Sequence, residues 1–253
     1  MKRIDRTGEV SYNNFGSKMI IIDYRNYNDI DVYFPTHNYT KRHTTYKCFI
    51  EGYIKSPYEC RTFGKGCLGE GKYKVSENGK RTKYYDVWLS MLTRAYDSKY
   101  HDKEPTYIGC TVHDSWLNFQ TFGEWVDKNY YKIEGQRMEL DKDILYKRNK
   151  IYSPDTCVFV PQRINSLFTK CDGVRGELPI GVVYNKSKGK YMAYCNMNGK
   201  QKTLGYYNTP EEAFQVYKNF KEKCIKEVAE EYKDKIPEKL YNAMITYEVE
   251  IDD

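Results

Sequence analysis

Residues 178–217 read LPIGVVYNKSKGKYMAYCNMNGKQKTLGYYNTPEEAFQVY. Three runs rich in β-branched and aromatic residues, 178–184, 190–196 and 202–206, are separated by turn-forming residues, which predicts three strands. Asn198-Gly199 stands between the second and third run, and Asn-Gly between alternating runs favours a tight hairpin. Thr209-Pro210-Glu211-Glu212 then combines a capping box with proline in the first helical turn. Ala213, Phe214, Tyr217, Phe220, Cys224 and Val228 follow as one apolar stripe of a long helix. The stretch therefore predicts a three-stranded antiparallel sheet with a helix across one face. Strand alternation puts Lys190, Met192, Tyr194 and Asn196 on one face, and Tyr191, Ala193 and Cys195 on the other, against Ala213 and Tyr217.

Working outward, 236–237 is Ile-Pro and starts a further short helix, and 246–251 reads as a final strand or tail. Upstream, from Tyr85, Val87, Trp88, Met91, Leu92 and Ala95 make one helical face. Asp114 or Ser115 caps a second helix with Trp116, Phe119, Phe122 and Trp125 three apart. All three tryptophans fall in these two helices, as expected of core residues. Residues 140–145, a polar turn to Tyr152-Ser153-Pro154, the apolar run 157–160 and the helical spacing of Ile164, Leu167 and Phe168 read as strand, loop, strand, helix, with Pro161 at the helix entrance. Residues 1–85 show short extended runs at 19–24, 30–34 and 45–54. The glycines of 64–71 lack the spacing and the Gly-Lys-Ser/Thr ending of a phosphate-binding loop, so they read as a tight turn.

The 253 residues are 40% hydrophobic, 30% charged and 16% aromatic, enough for one or more real cores. No window approaches the roughly 18 uninterrupted apolar residues of a membrane span, and MKRIDRTGEV continues into polar residues, so neither a membrane partner nor a signal peptide is expected. Cys48, Cys60, Cys67, Cys110, Cys157, Cys171, Cys195 and Cys224 form no Cys-x-x-Cys pair, and there are four histidines. That excludes the common zinc frameworks and leaves reduced thiols. No nucleotide fingerprint or catalytic triad is present. The net charge is +6, with 16 Lys and Arg against 9 Asp and Glu over residues 1–85 and balance at 12 each over 86–170. Residues 173–207 hold six Lys and Arg against one Glu, whereas 208–253 hold seven Lys against twelve Asp and Glu. Two basic regions of this kind suit a polyanionic partner.

Two stretches resemble known families. Trp88, Met91 and Arg94, then Trp116, Phe119 and Phe122, then LDKDILYKRNKIYSPDTCVFVPQRIN at 140–165 resemble, in divergent form, the HNH homing endonucleases carried by phages. The likeness covers roughly residues 85–170. LPIGVVYNKSKGKYMAYC at 178–195 and LGYYNTPEEAFQVY at 204–217 resemble the sheet-plus-helix DNA-binding domain of ethylene-response factors and phage integrases. The expected fold class is accordingly α+β. It comprises a small N-terminal β domain (1–84), a central ββα-metal module of HNH type with supporting helices (85–172), and a C-terminal three-stranded antiparallel sheet packed on a long helix (173–253).

The resemblance implies a chemistry. Phosphodiester hydrolysis needs an activated water, a cation to neutralise charge developing on the phosphate, and groups that hold the scissile bond in line. Asp141 matches the family's metal-binding carboxylate and Asn165 its helix ligand, which implies Mg²⁺ or Mn²⁺. Lys142 occupies the place of the general-base histidine. A lysine with a pKa near 10.4 is protonated at neutral pH and clamps a phosphate rather than taking a proton. Asp143, His113 and His101 are the candidate replacement bases. Thr156 stands where the family often has a loop-orienting Asn, for which Asn149 is the candidate substitute. On the sheet, Asn185, Lys186, Lys188, Lys190, Tyr194 and Lys202 are assigned to double-stranded DNA. Val183 and Asn185 replace the family's strand-one arginines, which weakens guanine readout and favours adenine. The expected function is a phage-type DNA-binding protein of HNH lineage, with or without metal-dependent nicking, in the host cytoplasm. The alternative is an inactive nuclease derivative that regulates or inhibits a host enzyme through protein contacts.

Overall fold

A computed structural model describes residues 4–168, 178–197 and 200–251. Asn198-Gly199 lies outside the described residues. The fold is mixed α and β, and backbone contacts divide it into two compact units, residues 1–128 with 151–153 and residues 129–150 with 154–253. The 85–128 helices thus group with the N-terminal sheet, and 138–168 group with the C-terminal sheet.

In the first unit, β1 (Val10–Tyr12), β2 (Lys18–Asn26), β3 (Asp29–Phe34) and β4 (Tyr39–Thr44) pair antiparallel in that order. Ile30, Val32 and Phe34 alternate onto the buried face and meet Met19 and Ile21 there. The expected strand over 45–54 is instead largely helix. Thr45 accepts from the backbone N–H of Cys48 and caps α1 (Tyr46–Ile50), which inserts Tyr46 and Phe49, three apart, into the sheet's core. The second partner of β3 is β4, which the sequence pattern does not reveal.

A two-residue turn joins β5 (Ser76–Glu77) to β6 (Lys80–Arg81), with Asn78 at φ 50° and Gly79 at φ 74°. Positive φ at both central positions is the geometry that Asn-Gly supplies in tight hairpins. Next come α2 (Lys83–Tyr96), α3 (Ser98–Lys103), β7 (Thr111–Val112), α4 (Asp114–Leu117) and α5 (Phe119–Asn129). β7 pairs in parallel with a short strand of residues 151–152, designated β9. The single helix expected from 114 is broken at Asn118, whose backbone is extended and whose Oδ1 accepts from the Gln120 N–H. Its cap is His113 rather than Asp114 or Ser115. Trp88 and Trp116 are fully buried, and the Trp88 indole donates to the Trp116 carbonyl over 2.8 Å. Gly66 allows the 64–71 turn to press on this core, since a Cβ there would meet Leu92 at 2.6 Å and Trp88 at 2.8 Å.

In the second unit, β8 (Met138–Asp141) pairs antiparallel with β10 (Val158–Pro161), Asp141 opposite Val158, and α6 (Gln162–Phe168) packs on both. β11 (Val182–Asn185), β12 (Lys190–Met197) and β13 (Lys200–Tyr207) form the expected antiparallel sheet. α7 (Pro210–Tyr232) follows, capped by Thr209 Oγ1 accepting from the Glu212 N–H, with Pro210 in its first turn. α8 (Glu238–Ile245) comes next, and 247–250 follow without regular secondary structure.

α7 serves two cores. Its first half places Ala213, Phe214 and Tyr217 against Val182, Ala193 and Cys195 of the sheet. Its second half places Ile225, Val228, Ala229 and Tyr232 with Val158, Val160, Ile164, Leu240 and Met244. Tyr247 packs on both clusters. Ile225→Ala, deleting a fully buried side chain, is expected to cost about 2–5 kcal/mol. Because both cores hang on α7, denaturation followed by hydrogen exchange should show β12 amides losing protection together with those of α8. Loss confined to α8 would contradict the shared-helix reading.

Candidate functional site

Asp141 ends β8, where the chain must turn sharply. Its Oδ1 accepts from the backbone N–H groups of Asp143 (2.9 Å) and Ile144 (2.7 Å), which fixes that turn. Both bonds fall on one oxygen. Burial, then repulsion by the Asp143 carboxylate, raises the Asp141 pKa to about 6, while the two N–H groups and the Lys142 charge oppose the rise. Lys142 is 7% exposed and donates from Nζ to Asp143 Oδ2 at 2.8 Å. A buried ammonium requires such a partner, because an unpaired charge away from water is strongly disfavoured. Asn149 donates from Nδ2 to the Lys142 carbonyl at 2.7 Å. It therefore ties the two ends of the 142–149 loop. Arg148 turns that loop at φ 62°.

Arg148 donates to Glu250 at 2.9 Å, and Lys147 lies 3.5 Å from the same carboxylate and stacks on the Tyr247 ring at 4.5 Å. Asn165 sits on α6, next to Ile164 in the buried cluster, on the helix that packs on β8 and β10. His101 and His113 belong to the first unit, where His101 Nε2 is 2.8 Å from the Arg94 carbonyl and His113 caps α4.

The C-terminal sheet shows which of the assigned residues share a face. Its helix side holds Val182, Ala193 and Cys195, all buried. The register sets Val183 opposite Met192, Asn185 opposite Lys190, Tyr206 opposite Met192 and Thr203 opposite Tyr194, so these side chains form the outer face. Lys190 and Asn196 are exposed, Val183 is 40% exposed, and Lys188 folds its Nζ over the Tyr206 ring at 3.6 Å. Lys186 is exposed in the β11–β12 turn.

Two assignments change. Lys202 lies opposite Cys195, on the helix side, with Nζ 4.7 Å from the Phe220 ring centre. A bulge between Ala193 and Tyr194 causes this, because it inserts one extra residue into β13 and reverses its alternation. Asn185 spends its Oδ1 on Ser187 Oγ (2.7 Å) and the Lys188 N–H (3.0 Å). It closes the turn, and the acceptor half of a bidentate adenine contact is taken. Tyr206 and Thr203 were missed, and cross-strand register is what reveals them.

Among the described residues, one group of three metal-ligand side chains converges, Asp29, Asp31 and His43, with ligand atoms within 4.8 Å. Arg25 already occupies it. Its guanidinium donates to Asp29 at 2.7 and 2.8 Å and also to Asp31 and Asp23. That arginine, chiefly, holds the Asp29 pKa down at about 2. The cluster is thus an arginine-centred clamp at the turn end of the β2–β3 hairpin, and it lies outside the sequence assignments.

Asp141 gives the site a pH signature. Its folded pKa, about 6, exceeds the ordinary 3.8, so between those values the folded state holds more protons than the unfolded one and stability falls as pH rises. Asp141→Asn keeps an Oδ1 acceptor and removes the titration. Urea midpoints should be similar for both proteins near pH 4, about the ordinary carboxylate range. The variant should become the more stable as pH passes about 6. A constant difference at every pH would contradict this.

No protein-family model, curated protein or solved structure matches the chain.

Proposed function

We propose that the chain binds double-stranded DNA through the outer face of β11, β12 and β13, and that it descends from HNH endonucleases without their general base. One observation carries the binding reading: a sheet whose helix side is sealed by α7 while the opposite side presents Lys190, Asn196, half-buried Tyr194 and the Lys188–Tyr206 pair. A ribbon of this width fits a major groove, where lysines at its turn hold phosphates and side chains at its centre reach base edges. With Asn185 spent on the turn, phosphate contact outweighs base readout. Affinity would therefore be salt-dependent and modestly sequence-selective.

The lineage reading is supported by the order β8, β10, α6, with Asp141 at the end of the first strand and Asn165 on the helix. Asp141 and Asn165 offer oxygen ligands, the kind Mg²⁺ or Mn²⁺ takes, and the hydrogen bonds of Asp141 leave Oδ2 for an ion. Such an ion, when bound, would neutralise charge growing on the phosphate and the leaving oxygen. No proton acceptor follows from Lys142, whose ammonium is buried on Asp143. This pairing favours the alternative in which cleavage has been lost and the module only holds the backbone or contacts a protein partner.

Binding is tested by titrating a short duplex over a salt series. Lys190→Ala should lower the slope of log affinity against log salt by about one, and an affinity indifferent to salt would overturn the reading. For cleavage, supercoiled plasmid with Mg²⁺ or Mn²⁺ should stay intact with wild type and Asp141→Ala alike, and Lys142→His should gain nicking. Nicking by wild type that Asp141→Ala abolishes would show that catalysis survives without the histidine.

A further inference from the structure

The first unit carries a cleft of about 800 Å³ between the β5–β6 hairpin, the start of α2 and Asp127 of α5. Lys72, Lys74, Lys80, Arg81 and Lys83 line it, against Glu77 and Asp127. Asp127 is already engaged, accepting from Tyr73 Oη (2.5 Å), Tyr84 Oη (2.6 Å) and Lys72 Nζ (3.1 Å). Those two phenols, then Lys72, hold its pKa down at about 2. Glu77 is 3.8 Å from Lys74. Lys80 and Arg81, both exposed on β6, form no ion pair among the described residues. Asp127 also fixes the floor, because it orients the Tyr73 and Tyr84 rings 5.0 Å apart, with Lys72 over one and Lys83 over the other.

We infer that this cleft is a second nucleic-acid surface, in which Lys80, Arg81 and Lys83 grip the phosphate backbone of DNA beside the paired tyrosines. Two physical points support a phosphodiester chain. Lys80 and Arg81, exposed and in no ion pair among the described residues, are donors suited to phosphate oxygens. They lie on a two-residue strand next to the start of α2, at the positive end of its dipole, where an anion is favoured. An acidic peptide would supply carboxylates too, but it would also bring apolar side chains. The lining offers those only two rings whose faces lysines already cover. The inference stands apart from the sheet face of the second unit.

The test uses the full chain and a labelled short duplex of mixed sequence over a salt series. The four proteins are wild type, Lys188→Ala/Lys190→Ala, Lys80→Gln/Arg81→Gln, and all four substitutions together. Lys80 and Arg81 sit on a two-residue strand outside every core, and far-ultraviolet circular dichroism confirms that the fold is kept. The hairpin pair should lower the salt slope by roughly two, and it should do so in the sheet-variant background as well. If the sheet pair proves silent and the hairpin pair does not, the sheet reading fails and this one holds. An unchanged slope in both backgrounds would overturn the inference. So would a hairpin pair that weakens binding to an acidic peptide or anionic vesicles while leaving duplex binding intact.

Discussion

The second unit depends on the burial of α7 along two apolar stretches in succession. A helix of 23 residues rises about 1.5 Å per residue, long enough to cover a small sheet with one half and a two-stranded ribbon and its helix with the other. Each partner shares its core with α7. Val182, Ala193 and Cys195 are completed by Ala213, Phe214 and Tyr217 of α7 and by Val249, and Val158, Val160 and Ile164 by Ile225, Val228 and α8. The sheet and the Asp141 turn are therefore held on one helix.

That constraint determines what each face of the sheet can do. α7 covers one side with Ala213, Phe214 and Tyr217, and Lys202 turns to that side, onto Phe220, rather than to the outer face. On the ribbon, Asp141 and Lys142 sit where the strand ends and water is largely excluded. Burial pushes the carboxyl toward neutrality and forces the lysine onto Asp143. A histidine in that place would serve as a base when neutral; a lysine so paired is a fixed cation. The turn thus sets the Asp141 and Asp143 carboxyl groups beside a fixed cation.

The C-terminal sheet and its helix were legible because their signals were local: alternation, an Asn-Gly turn and a capping box within forty residues. Asn78-Gly79 carries the same turn signal and forms a hairpin of positive-φ residues, yet its flanks Ser76-Glu77 and Lys80-Arg81 lack alternating apolar residues, so it passed unread. Residues 45–54 misled through β-rich composition, whereas the Thr45 cap and the three-residue spacing of Tyr46 and Phe49 mark a short helix. The face of Lys202 was not recoverable by counting in twos, because one bulge inverts the count. The basic cleft was invisible for a different reason. It gathers residues from 72 to 127 whose proximity is a property of the tertiary packing.

Lysine acetylation footprinting of the full chain, with and without a saturating DNA duplex, tests the central claim most directly because it reports which side of the sheet is covered. The account predicts protection of Lys186, Lys188 and Lys190 and unchanged labelling of Lys202. Equal labelling of the first three in both samples, or protection of Lys202 alone, would contradict it.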